Sequence, residues 1–212
     1  LGALSISTIY ATNKGLATSQ IIFWLAGLGI FYFVSHFHYK QLQHISIFVY
    51  AVTLIALIVV LIIGDPVRGS IRWIDLGAFR FQPSEISKIA AIVTLATFFV
   101  NRSAEKIQNL FLSLLIILPP FVLIFIEPDI GSATAIIAIW GAITFASGMK
   151  IKHLLGLIAT VAFFGFIFYE LLAPYQRERI DTFIDPQKDP LGAGYNIIQS
   201  KIAVGSGEIF GR

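Results

Sequence analysis

The sequence predicts an all-α, polytopic integral membrane protein, and three observations carry that reading. Of its 212 residues 57% are hydrophobic and only 13% charged, whereas soluble domains carry about a quarter charged residues. Six apolar segments each approach the length a helix needs to cross a bilayer core, about twenty residues. Residues 175–212, by contrast, are polar, charged and punctuated by glycine. So abrupt a change marks a large loop at the membrane surface.

Taken in order, residues 1–10 are apolar but too short to span, and read as the end of a first helix whose beginning precedes the chain. Complete spans follow at 19–37, 44–64, 84–101, 109–126, 131–148 and 154–173. Residues 1–212 then form a single membrane domain cut at both ends, with 174–212 as an extracytoplasmic loop. Alternation puts 11–18, 65–83, the 127–130 corner and the final loop on one face. The short links 36–43, 101–109 and 149–153 lie on the other. Eleven of the twelve carboxylates, all but Glu105, belong to the first face or lie just inside the membrane from it. The second face carries Lys40, Arg102, Lys106, Lys150 and Lys152. Total Lys and Arg do not decide the orientation, because the mixed-charge face holds more of them. Counting only the short, nearly acid-free links puts those links in the cytoplasm.

Composition also excludes several functions. Cysteine is absent, so disulfides and thiolate metal sites are ruled out. The formal charge of +3 is modest and no basic run resembles a nucleic-acid arm, which leaves anionic membrane lipid as the counter-charge. Phosphate-loop, dinucleotide and zinc-protease motifs are missing, so nucleotide hydrolysis and zinc proteolysis lack support. His36, His38, His44 and His153 fall on the face opposite the carboxylates and read as interfacial residues; no metal site is assigned to them.

Three constellations remain. The first is Gly69-Ser-Ile-Arg72-Trp73-Ile-Asp75-Leu-Gly77 followed by Phe81-Gln82-Pro83-Ser84-Glu85-Ile-Ser-Lys88. Pro83 and Ser84 suit a helix start, where a missing amide costs nothing and a hydroxyl can cap free donors. Glu85 and Lys88 lie one turn apart on the same side of that helix. Ionisable groups at the edge of the apolar core are expensive and point to function, although a purely structural ion pair would use the same spacing. The second is Glu127-Pro-Asp129-Ile-Gly131-Ser-Ala133, for which structure is the better account: proline breaks one helix, Asp129 caps the next, and small residues allow close packing.

The third is the final loop. Asp185 before Pro186 reads as a helix cap. The same account is weaker for Asp189 before Pro190, because Gly192 and Gly194 would undo the helix being capped. Residues 195–204 read as a short amphipathic helix, with Ile197, Ile198 and Ile202 apolar, Gln199, Ser200 and Lys201 polar, and Gly205 as its stop. A carboxylate on a surface turn with Arg177, Arg179 and Lys201 nearby in sequence has the components of a general base beside an anion site.

These stretches, with Asp185-Pro-Gln-Lys-Asp-Pro-Leu-Gly-Ala-Gly-Tyr-Asn-Ile-Ile-Gln-Ser-Lys201, closely resemble the SEDS family (shape, elongation, division and sporulation) in order and membrane placement. The form Phe183-Ile-Asp-Pro with Leu191-Gly-Ala-Gly-Tyr195 is more similar to its rod-elongation branch, RodA, than to its division branch, FtsW. The resemblance implies a multi-helix bundle of ten helices in the bacterial cytoplasmic membrane, of which this chain would lack the last three. It also implies polymerisation of lipid II into glycan strands, beside a class B penicillin-binding protein that cross-links the product. The family's essential carboxylate falls on Asp189, and its Glu and Lys of the Q-P-S-E-x-x-K motif fall on Glu85 and Lys88. Gly207-Glu208 departs from the Gly-Gly usual in the family.

Such a reaction needs one base and one cluster of positive charge, because lipid pyrophosphate is already a good leaving group. An α-linked donor giving a β-linked product is inversion, which needs no covalent enzyme intermediate. Asp189 is then the base. Arg72, Lys88, Arg177 or Arg179 would hold pyrophosphate, and Glu85, Gln199, Ser200 and Lys201 complete the substrate-binding set. A divalent cation could share the pyrophosphate role. Two other classes use comparable features: a lipid II flippase, which also needs intramembrane charge, and a non-catalytic scaffold for cell-wall enzymes, which would not need Asp189. Residues 1–212 on their own are expected to be inactive.

Overall fold

The computed structural model describes residues 2–67, 70–75, 77, 80–171, 177, 180–182, 184–192 and 194–207. It divides into two compact units, 1–149 and 150–212.

In the first unit, α1 (Gly2–Thr12) gives way to α2 (Lys14–Ser35) at Asn13, whose side chain accepts from the Gly15 and Leu16 amides at 2.9 and 3.2 Å. That cap starts α2 earlier than hydropathy alone indicates, since hydropathy is blind to caps. The unit continues with α3 (Tyr39–Ile63), α4 (Pro83–Phe99), α5 (Ile107–Ile126) and α6 (Ile130–Ala146). Lys14–Ser35, Tyr39–Ile63 and Ile107–Ile126 are long and apolar enough to cross a membrane, while Ile130–Ala146 is a shorter apolar helix. Helix α4, at 17 residues, rises only about 25 Å.

Each core helix buries one narrow stripe. On α3 the stripe is Ser46, Thr53, Leu57 and Val60, and on α4 it includes Ser87, Ala90, Ala91, Leu95 and Phe99. Steps of three, four and seven keep these residues on one side of a 3.6-residue helix. The alanines and serines let the backbones approach closely, which is how helices associate where lipid is as apolar as leucine. The large exposed apolar side chains, such as Phe31, Phe48 and Ile62, are at no disadvantage in hydrocarbon.

Helix α5 carries Pro119 and Pro120 in its interior. Pro120 has no N–H for the carbonyl of Ile116, one turn earlier. The Tyr50 hydroxyl on α3 donates to that carbonyl at 2.6 Å. One turn further toward the start of α5, Trp140 Nε1 on α6 donates to Ser113 Oγ at 2.9 Å, and that hydroxyl donates to the Leu110 carbonyl at 2.8 Å.

Between α3 and α4 the described residues include a small antiparallel sheet that the all-α reading does not contain: β1 (Asp65–Val67), β2 (Ser70–Asp75) and β3 (Arg80–Phe81), in that order. The physical reason is the Ile71-Arg72-Trp73-Ile74 run, whose β-branched and aromatic side chains favour extended backbone. A left-handed Gly77 (φ 78°), its amide donating to Asp75 Oδ1 at 2.8 Å, helps reverse the chain between β2 and β3. Pairing of Asp75 with Arg80 is reinforced by a 3.5 Å ion pair.

The second unit contains α7 (Ile151–Leu171), a single 3₁₀ turn (Pro186–Lys188) and α8 (Tyr195–Gly207). Helix α8 runs through Gly205 to Gly207 and does not stop where the sequence indicates. Nothing lies within 4 Å of a Cβ at Gly205, so no packing contact ends the helix there.

Tyr50→Phe should destabilise the detergent-solubilised protein by about 1–3 kcal/mol, the cost of a buried unpaired carbonyl. In a Pro120→Ala background, where Ile116 regains a helical donor, the same change should cost measurably less. Equal costs in the two backgrounds, read from thermal unfolding, would disprove this pairing.

Candidate active site

In the first unit a polar cluster forms where the sheet meets the α5–α6 corner. Asp129 is the N-cap of α6, accepting from the Ser132 amide at 3.3 Å and from the Ser132 hydroxyl at 2.8 Å. That is the structural role the sequence indicates. The same carboxylate also takes a 3.4 Å ion pair from Arg72 of β2 and a 3.2 Å hydrogen bond from Gln82 Nε2. Arg72 is therefore already engaged, and an anion arriving at its guanidinium must compete with Asp129.

Beside this cluster, Glu127 is fully buried, and neither carboxyl oxygen has a hydrogen-bond partner. Burial, and next the Asp129 carboxylate, push its pKa up to about 8, while Arg72 pulls the other way. Glu127 therefore holds its proton at neutral pH.

Gln82 immediately precedes α4 and is its N-cap residue, but its side chain makes no capping bond. Pro83 opens the helix as the sequence indicates. Ser84 does not cap it; its hydroxyl is buried without a partner, because the N-cap falls two residues earlier. Glu85 on the first turn of α4 and Lys88 on the next form a 2.7 Å ion pair, with Lys88 26% and Glu85 56% exposed. An acidic residue in a first turn also faces the positive end of the helix dipole.

In the second unit the geometry centres on Asp189. Asp185 caps the 3₁₀ turn, accepting from the Gln187 amide at 3.1 Å, and the chain reaches Asp189 at the end of that turn. Asp189 Oδ1 accepts from the Gly192 amide at 3.0 Å, and its carbonyl accepts from the Gly194 amide at 3.0 Å. The carboxylate is exposed. A Cβ on Gly192 would collide with the Asp189 carboxylate, and one on Gly194 with the Pro186 carbonyl. Both glycines are needed for close approach, and neither has a positive φ.

Other residues of this unit are placed around two features. Tyr169 donates from its hydroxyl to Asp181 at 2.8 Å, and the Arg177 guanidinium lies over the Tyr169 ring at 5.6 Å. On α8, Ser200 and Lys201 line an open cavity of about 610 Å³ with Asn196, Ile197, Val204 and Gly205, while Gln199 is exposed on the same helix. Arg179 and Glu208 lie outside the described residues. Among the described residues no three histidine or carboxylate side chains gather as a metal site.

Sequence reasoning missed Glu127 and Gln82 as members of a polar site and gave Asp129 only a capping role. The available signal was two carboxylates two residues apart at a corner between apolar helices. Arg72, which pairs with Asp129, comes from a strand that sequence reading did not foresee.

The protein-family model described as "Cell cycle protein", FTSW_RODA_SPOVE, matches residues 3–212. Peptidoglycan glycosyltransferase MrdB of Escherichia coli K12 is 38% identical over 168 residues, covering 78% of this chain and 45% of the relative. Stage V sporulation protein E of Bacillus subtilis is 36% identical over 225 aligned residues, covering 98% of this chain and 59% of the relative. The chain thus spans about half the length of such relatives. A solved chain described under "Structural coordination of polymerization and crosslinking by a peptidoglycan synthase complex" superposes with a TM-score of 0.84 at 31% identity, covering 98% of this chain and 63% of that one.

Two outcomes follow from the geometry. Between the ordinary carboxylate range near 4.5 and its folded value near 8, Glu127 is protonated when folded and ionised when unfolded, so unfolding releases a proton. Its contribution to stability should be greatest at and below the lower value, fall as pH rises through this window and level off above it. The pH dependence of the melting temperature should flatten in this window in Glu127→Gln; parallel curves for parent and variant would refute the buried, protonated state. Gly192→Ala should lower activity of the full-length protein at least tenfold by displacing Asp189, a shift of the order of 1 Å being enough. Gly156→Ala in α7, with open space around it, should leave activity within twofold; equal effects of the two changes would refute the steric argument.

Proposed function

The chain belongs to the FtsW/RodA/SpoVE family of cell cycle proteins, and on that footing we propose that the full protein is a peptidoglycan glycosyltransferase that polymerises lipid II into glycan strands. Its long apolar helices and family membership make it a multi-pass protein of the cytoplasmic membrane. Among its SEDS relatives it is RodA-like, and the proposed role is in cell elongation. In the proposed topology the spans all belong to one membrane domain, with 174–212 outside the cytoplasm.

The observation that carries the mechanism is the glycine-enforced turn around Asp189. It exposes one carboxylate, whose Oδ1 accepts from the Gly192 amide, while the Asp189 carbonyl is pinned by the Gly194 amide. As general base, Asp189 takes the proton from the 4-hydroxyl of the acceptor sugar. That oxygen bonds to the anomeric carbon of the donor as the bond to lipid pyrophosphate breaks, and the pyrophosphate leaves with the electron pair. Inversion requires no second carboxylate as nucleophile, which agrees with a turn that offers one.

Positive charge stabilises the leaving group. Arg72, Lys88, Arg177 and Arg179 are the proposed contacts, and the first two differ in availability. Lys88 can turn from Glu85 at little cost, because the pair is partly exposed. Arg72 must be drawn from the buried Asp129, so it is the contact most sensitive to a strong anion. Glu85, Gln199, Ser200 and Lys201 complete the substrate-binding set. A class B penicillin-binding protein is the proposed partner. The solved complex of similar fold couples polymerization and crosslinking.

The test is lipid II polymerisation by the purified full-length protein in detergent, where no membrane separates two compartments and transport cannot register as product. Asp189→Asn should lower the rate by about a hundredfold or more. Asp185→Asn, a change confined to the cap of the 3₁₀ turn, should retain most activity. Lipid II binding should survive both changes, since the cations are untouched. Near-parental polymerisation by the Asp189→Asn protein would reject the general-base assignment.

A further inference from the structure

Helices α3 and α4 pack against each other, and between the start of α3 and the end of α4 lies a groove. Its volume is about 390 Å³ and its lining includes Tyr39, Lys40 and Gln43 of α3 with Ile92, Ala96 and Val100. The stretch from Ile92 to Val100 extends about 12 Å at the helical rise, enough for the upper part of an acyl chain. Tyr39, Ile92 and Val100 are exposed, so the groove opens outward from the helix pair. Because α3 is long and apolar enough to cross the membrane, the medium facing that opening is lipid.

Charge makes this groove unlike ordinary lipid-facing surface. Lys40 is the only Lys, Arg, Asp or Glu between positions 15 and 64. Just past the end of α4, Arg102 is the only one between Lys88 and Glu105. Its guanidinium lies 4.5 Å from the Phe98 ring centroid and donates to the Phe98 carbonyl at 3.4 Å. Neither wall therefore carries a carboxylate. Lys40 sits on the first turn of α3, at the boundary between bilayer and water. Lysine there keeps its stem along apolar surface and its ammonium at headgroup depth. A soluble anion would satisfy Lys40 and leave the groove unfilled, and a neutral lipid would fill the groove and leave the ammonium without a counter-charge. One molecule that satisfies both is an amphiphile with an anionic head and a hydrocarbon tail.

We propose that the groove between the start of α3 and the end of α4 binds an anionic phospholipid, with one acyl chain lying along α4 and the phosphate at Lys40. The Tyr39 ring stands at the mouth, where an amphipathic aromatic suits the headgroup layer. The site involves none of the residues assigned to glycosyl transfer, so its test is independent of that reading.

The test is thermal stabilisation of the full-length protein in neutral detergent, titrated separately with phosphatidylglycerol, phosphatidylcholine and glycerol phosphate. Phosphatidylglycerol should raise the melting temperature at lower concentration than phosphatidylcholine, and glycerol phosphate should have no effect. Lys40→Gln should weaken the apparent affinity for phosphatidylglycerol about fivefold, the worth of one lysine at an anionic surface, and leave phosphatidylcholine unchanged. Ala96→Phe, which fills the groove, should weaken both lipids; if that variant does not fold, Ile92→Ala, which strips the rim, should do the same. Equal action of the two lipids on the parent, or phosphatidylglycerol affinity indifferent to Lys40→Gln, would overturn the proposal. Stabilisation by glycerol phosphate equal to that by phosphatidylglycerol would also overturn it, reducing the site to a soluble-anion site.

Discussion

Hydrocarbon offers no hydrogen bonds, and that constraint shapes the 1–149 unit. Every backbone group inside the bilayer must find its partner within the protein. The proline pair in α5 breaks the helical ladder, and the Tyr50 hydroxyl closes it from another helix. The Trp140–Ser113–Leu110 relay ties α6 to α5 in the same way. Among the described residues the short strands occur only between the end of α3 and the start of α4, where water can serve unpaired edges.

The same scarcity of partners gives the polar cluster its character. Asp129 collects bonds from Ser132, Gln82 and Arg72, so one carboxylate fastens the start of α6 to the residue before α4 and to the sheet. Glu127, two residues earlier, receives none and meets the cost of burial by keeping its proton. The two acids thus differ in their surroundings, since one has a cation and donors within reach and the other lacks hydrogen-bond partners.

Much of the helical layout was legible in the sequence because bilayer length and a one-sided stripe both leave periodic traces. The cap at Asp185 was equally plain, as was Pro83 at the start of α4. What could not be read depends on residues far apart in the chain. Tyr50 and Ile116 are 66 positions apart and Gln82 and Asp129 are 47, and nothing local to either member announces the other. The strands were hidden for a different reason: β2 alternates too little, with Arg72 between two apolar residues and Trp73 beside Ile74, to separate from a tethered loop. Gly192 and Gly194 were visible as helix breakers. Their steric role became visible only once the Asp189 carboxylate and the Pro186 carbonyl were placed beside them.

That steric role bears on drug resistance. Bacteria commonly escape an inhibitor by changing the side chains it touches. At positions 192 and 194 there is no side chain to change, and adding one displaces the carboxylate or the backbone of the preceding turn. A compound anchored on the main-chain atoms between Asp189 and Gly194 would therefore rest on a surface that single substitutions there cannot reshape without disturbing the turn itself.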